Sequence, residues 1–128
     1  MAIRIVQLGS PRETDEGLRV GTVRRPPRGV PKSDCARKNF YDVWLPNLSP
    51  SPELMKEGKS AQDDRSWALF RRKFRAEMRR PEASRVLDLL AALSPEAQLS
   101  VGCYCEDERR CHRSILRELL EERVADLM

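Results

Sequence analysis

Cys103, Cys105, Cys111, His112, Arg113 and Ser114 crowd into one short stretch, LSVGCYCEDERRCHRSILRELL, which runs from Leu99 to Leu120. The apolar start predicts a buried strand, EDERR a polar loop, and the remainder a helix whose first turn carries Cys111 to Ser114. A strand end that feeds a helix start brings thiols, an imidazole and a guanidinium to free backbone N–H groups able to hold an anion. The chemistry on offer is therefore nucleophilic thiol chemistry beside a phosphate or carboxylate.

Each group also has a plainer reading. On a strand Leu99, Val101, Cys103 and Cys105 share one face, so the last two thiols stand side by side, too close in sequence for an easy disulfide. Cys111 at a helix start beside Arg109, Arg110 and Arg113 favours its thiolate, while Glu106, Asp107 and Glu108 oppose it. Cysteine is equally a small hydrophobe that fills tight strand-to-helix junctions. His112 is the only histidine, so any imidazole chemistry near neutral pH falls to it. Consecutive helical side chains point about 100° apart, which argues against a Cys111–His112 dyad and favours pairing of His112 with Cys103 or Cys105. The four groups have zinc-ligand chemistry, but Cys-x-Cys followed by an adjacent Cys-His is not the spacing of structural zinc knuckles, and no metal ligand is assigned. Cys103-x5-Arg109 resembles a phosphatase phosphate loop only loosely, because three acidic residues would repel the anion.

The elements that must position these groups follow from the rest of the chain. With 128 residues there is room for one domain, 1–128. A net charge of +4 permits anionic partners without requiring nucleic acid. No run is long enough to span a bilayer and no leader is evident, so no membrane partner is expected and a cytoplasmic protein with reduced thiols is. Ile3 to Leu8 reads as an edge or near-edge strand and Leu18 to Val23 as a second. The Pro-rich loop RRPPRGVPKSD then carries Arg24, Arg25 and Arg28 at the strand's C-terminal end, where open α/β sheets place their sites. Phe40 to Leu45 predicts a third strand, Pro52 to Gly58 a short helix capped by Ser51, and Leu99 to Cys105 the most buried strand. Trp67, Phe70, Phe74 and Met78 mark the core face of a helix over 63–80, whose Arg72, Arg75 and Arg79 share the outer face. Val86, Leu87, Leu90 and Leu93 form the next helical stripe. The last helix turns Ile115, Leu116, Leu119, Leu120 and Val124 inward. This order predicts a small α/β sandwich: a largely parallel sheet of about four strands flanked by helices.

CYCEDERRCHRSILRELL resembles the Cys-His-Arg signature that ends the domain of unknown function 488 family. RVGTVRRPPRGVPKSD is similar to its Asp-Arg and Pro-Arg-Gly segment, and YDVWLPNLSPSPEL and DRSWALFRRKFRAEM to its tryptophan-centred middle. The resemblance places Arg24, Pro27, Arg28, Gly29, Trp44, Trp67, Cys103, Cys111, His112 and Arg113 on family positions. Val23 stands where the family commonly has Asp, which removes a general base or arginine partner, and Pro26 where one branch has Trp.

The expected site combines Cys103, Cys111 and His112 as reacting groups with Arg24, Arg28, Arg113, Cys105 and Ser114 as ligand-binding groups. Its expected ligand is a phosphorylated small molecule, a nucleotide or nucleic acid, held through forked, charge-assisted hydrogen bonds. A non-enzymatic nucleic-acid-binding or interaction module is the alternative. No cofactor and no oligomeric state are indicated.

Overall fold

Leu99–Cys103 is buried at all five positions, as a strand covered on both faces must be, and it is one of the sheet's two interior strands. The computed structural model describes residues 3–127. In it the strands are β1 (Ile3–Gln7), β2 (Leu18–Gly21), β3 (Val43–Trp44) and β4 (Leu99–Cys103). The helices are α1 (Pro52–Ser60), α2 (Asp64–Glu77), α3 (Pro81–Leu93) and α4 (His112–Leu127). The sheet order is β1-β4-β2-β3 and every pairing is parallel. Ile5 and Val20 flank Val101 in register, and Gln7 lies opposite Cys103.

The fold is the small parallel α/β arrangement the sequence predicts, with β1 at an edge. Several elements differ in extent: β2 ends at Gly21, short of Val23, and α2 ends at Glu77, leaving Arg79 beyond its last turn. The third strand contracts from Phe40–Leu45 to the exposed edge pair Val43–Trp44, and β4 stops at Cys103, leaving Cys105 in the loop. Helix α1 continues to Ser60, past Gly58. Gly58 lies under the Phe70 ring, where a Cβ would come within 2.7 Å of the ring, so this glycine permits helix approach and does not end the helix.

The caps act as their residue types require. Ser51 accepts from the Leu54 N–H, and Asp63 accepts from the Ser66 N–H at 2.7 Å. Pro52 and Pro81 open α1 and α3, positions where a missing N–H costs nothing. Phe70, Phe74 and Met78 of α2 are buried, with Trp67 partly so. In α3 the buried stripe is Ala83, Leu87, Leu90 and Ala91, and Leu93, expected inward, is 38% exposed. Leu93 lies in the final turn, beyond the reach of the sheet-facing stripe.

Leu54, Phe70, Phe74, Leu87, Leu90, Ile115, Leu116 and Leu120 join Ile3, Val20, Leu99 and Val101 in one apolar cluster. All four helices therefore pack on the sheet face that carries Leu99 and Val101. The opposite face, with Arg19, Gly21, Ser100 and Gly102, is covered by irregular chain. There Glu16 receives Arg19 Nε at 2.6 Å and Ser100 Oγ at 2.9 Å, all three buried, and Tyr41 lies so close to Gly21 that a Cβ would sit 2.4 Å from its ring. Among the described residues no helix is long and apolar enough to cross a membrane.

Candidate functional site

A second apolar cluster, of Leu8, Val23, Cys35, Tyr41, Cys103 and Cys111, gathers where β1, β2 and β4 end. Cys103 is the last residue of β4 and is 5% exposed. Its Sγ lies 3.6 Å from that of Cys105, which the chain's exit from the sheet leaves exposed. The single 3-10 turn Glu108–Arg110 then brings the backbone to Cys111, which is extended (φ −128°, ψ 149°) and buried. Helix α4 starts one residue later, at His112.

That single step corrects the expected divergence of Cys111 and His112. The rotation of about 100° per residue applies only within a helix, and Cys111 is not in one. Its Sγ comes within 3.7 Å of His112 Nδ1. The reactive atoms of Cys103, Cys111 and His112 all lie within 4.8 Å of one another.

His112 is held on three sides. Its Nε2 lies 2.8 Å from the Thr22 carbonyl and 3.2 Å from Thr22 Oγ1, and its ring meets Phe74 edge-on with centroids 5.6 Å apart. A carbonyl only accepts, and Thr22 Oγ1 already donates to the Gly102 carbonyl at 2.9 Å, so the proton resides on Nε2 and the Nδ1 lone pair faces the thiols. Complete burial brings the imidazole down to about 4, so the ring is neutral at physiological pH.

The thiols share charge unequally. Hydrogen bonds from Cys103 and then Cys111, outweighing partial burial and helped by the Arg113 charge, hold the Cys105 thiol far below its usual range. By the same hydrogen bonds Cys103 is pushed up through Cys105, and Cys111 through Cys103 and then Cys105. Of the three thiols, the exposed one is thus the one whose ionisation its neighbours favour, and the buried pair are the ones whose ionisation they oppose.

Arg113 is 3% exposed and donates from Nη2 to the Cys105 carbonyl at 2.7 Å, but its buried Nε has no hydrogen-bond partner. A cation is disfavoured at a helix N-terminus, and the only hydrogen bond this guanidinium makes among the described residues is to a neutral carbonyl. Ser114 Oγ donates to the Cys111 carbonyl at 2.9 Å, a local turn bond.

The arginines of the Pro-rich loop do not join this group. Arg24 donates to the carbonyls of Ser49, at 3.2 Å, and Pro50, at 3.0 Å, and lines a cleft of about 450 Å³ with Ser51, Glu77 and Arg80. Arg28 is exposed, and among the described residues its guanidinium makes no hydrogen bond or ion pair. Two positioning residues, Thr22 and Phe74, had no signal of their own in the sequence. Phe74 was legible only as core.

The site and sheet together define a class: parallel α/β proteins with a thiol-imidazole cluster between a strand end and a helix start. A family model described as the active DUF488-N3 subclade matches residues 3–124, and the chain belongs to the DUF488 family. No curated protein and no solved structure matches it.

Proposed function

We propose that the start of α4 accommodates an anionic group, the phosphate of a small molecule or nucleotide, and that this binding serves an enzymatic reaction in a cytoplasmic protein. The observation that carries the reading is Arg113: a guanidinium buried at a helix N-terminus with Nε unused. Such a donor has lost its water without gaining a partner, a cost that an anion would relieve. The helix N–H groups favour the same charge. Of the clustered thiols, Cys105 is the one that a ligand arriving from solvent reaches. The nucleophilic role that the sequence suggested for Cys103 and Cys111 passes to it in this reading. The description of the matched subclade as active supports an enzyme.

Thermal unfolding of the full chain in rising inorganic phosphate, and separately in nucleoside monophosphate, tests the proposal. The expected result is a concentration-dependent rise in Tm that Arg113→Lys, which keeps the charge and removes Nε, largely abolishes. A Tm indifferent to both ligands at millimolar concentration, or a rise equal in wild type and variant, removes the basis of the reading.

The alternative, a nucleic-acid-binding module, draws on the outer face of α2. Arg72 is exposed there and Arg79 just past the helix end, but Arg75 is engaged with Glu118 at 3.3 Å and Glu122 at 2.8 Å. The expected three-arginine face is reduced to two by the packing of α2 against α4.

A further inference from the structure

We propose that Cys103 Sγ, Cys111 Sγ and His112 Nδ1 bind a thiophilic divalent cation, zinc by the chemistry of the donors. Sequence spacing argued against a structural zinc knuckle, and the divergence expected of adjacent helical side chains argued against Cys111 and His112 acting on one atom; the second objection is the one that geometry answers. The extended backbone at Cys111 removes that objection by turning its thiol onto the neighbouring ring, 3.7 Å from Nδ1.

Three features point the same way. First, the donor atoms are already gathered, all within 4.8 Å of one another. Ligands bound tetrahedrally at about 2.3 Å lie roughly 3.8 Å apart, so the contraction needed is small. The chain's single histidine and all four of its cysteines meet in this region, a convergence that packing alone does not require. Second, the imidazole is oriented as a metal ligand is. Nε2–H is committed to the Thr22 carbonyl at 2.8 Å, which fixes the tautomer and aims the Nδ1 lone pair at the sulfurs. A carbonyl on the distal ring nitrogen is the usual outer partner of a zinc-bound histidine. Third, the cluster lies among Leu8, Val23 and Tyr41, an apolar shell that shields metal–thiolate bonds from water.

Binding exchanges two S–H protons, released to solvent, for the cation, and leaves a neutral Cys2His unit. Cys105, whose Sγ is 3.6 Å from that of Cys103, is the nearest further thiol and is exposed to solvent. Three protein ligands with a further position open to exchange is the arrangement of catalytic zinc sites. The site needs neither Arg113 nor an anion, so it stands or falls separately from the phosphate reading.

The experiment uses the reduced full-length chain, stripped of metal and held in phosphate-free buffer. Cobalt(II) is titrated in and then displaced by zinc(II) in the presence of a chromophoric chelator. The expected result is one equivalent per chain, visible d–d bands of tetrahedral cobalt, a near-ultraviolet thiolate-to-cobalt band, and displacement of cobalt by zinc. Cys111→Ser and His112→Gln should each weaken binding by about 10- to 100-fold or abolish it, while Cys35→Ala, which removes a thiol outside the donor set, keeps the stoichiometry. Should a ligand variant fail to fold, the wild-type spectrum decides. Folded wild type that takes up no cobalt, or that gives an octahedral spectrum without a thiolate band, overturns the proposal. So does binding that survives intact in a folded Cys111→Ser or His112→Gln chain.

Discussion

Cys111 shows how much one backbone residue can decide. The types of the site residues were legible because cysteine, histidine and arginine seldom crowd together without cause. Their convergence was not, because it depends on Cys111 being extended at φ −128° while His112 already starts the helix. No residue type announces that conformation. The arginines of the Pro-rich loop fail for the converse reason. Their place after β2 suggested a shared site, but a long side chain goes where acceptors are, and for Arg24 these are the carbonyls of Ser49 and Pro50. At this scale Gly102 provides a test of how tightly β4 is inserted between its neighbours. A Cβ there would sit 2.8 Å from the Val6 carbonyl oxygen and 2.7 Å from Leu8 Cδ2, and the backbone contact cannot rotate away. Gly102→Ala should cost about 1 to 3 kcal/mol, read as a lower urea midpoint at unchanged m-value. An unchanged midpoint would mean that the edge strand β1 moves aside freely.

Among the elements, legibility followed amphipathic contrast. The stripe of α2 was readable from Trp67, Phe70, Phe74 and Met78 because a period near 3.6 repeats over three turns. By contrast β3, two exposed residues at an edge, offers no period at all. Helix pairing was illegible, since nothing in the sequence of α2 alone says that Glu118 and Glu122 will stand opposite Arg71 and Arg75. This pairing sharpens the prediction for nucleic acid. Any weak, non-specific binding by α2 should rest on Arg72 and Arg79, and neutralising both should shallow the salt slope of a fluorescent single-stranded oligonucleotide titration by up to about two phosphate contacts. Arg75→Gln should leave that slope unchanged and lower stability by no more than about 1 kcal/mol, as exposed ion pairs do. An oligonucleotide that does not bind even at low salt would leave the face as a solvated surface.

For the molecule as a whole, the sheet has unequal faces, and this was not readable from element order. A parallel sheet flanked by helices suggests helices on both sides, yet here all four helices share one core, while the segments after β1 and β2 cover the other face without an α-helix. What ties that cover down is a buried ion pair beside a small apolar cluster. Glu16 bridges Arg19 and Ser100, and Arg19 Nη1 reaches on to the carbonyls of Ser10 and Asn39 in the two covering segments. Burial alone would push the Glu16 carboxyl up, but hydrogen bonds from Arg19, the Glu13 N–H and Ser100 outweigh it and bring it down to about 2 from 4.5. Asp42, which accepts from Arg12 and from the Arg19 N–H on the same side, is also lowered despite its burial. A carboxylate whose folded pKa is depressed contributes stability that is complete above its unfolded value and is lost as pH falls through the folded one. For Glu16 the contribution is about 3 kcal/mol, present above about pH 5 and gone near pH 2. Glu16→Gln should therefore be much less stable than wild type at neutral pH, where it leaves Arg19 buried without its counter-charge. The gap should narrow by about 3 kcal/mol on acidification as wild type loses the same charge. Urea unfolding of both chains across that range measures the gap directly. A difference that stays constant with pH would show that Glu16 is not ionised beneath the sheet, and that the cover is held by packing of Leu8, Val23 and Tyr41 alone.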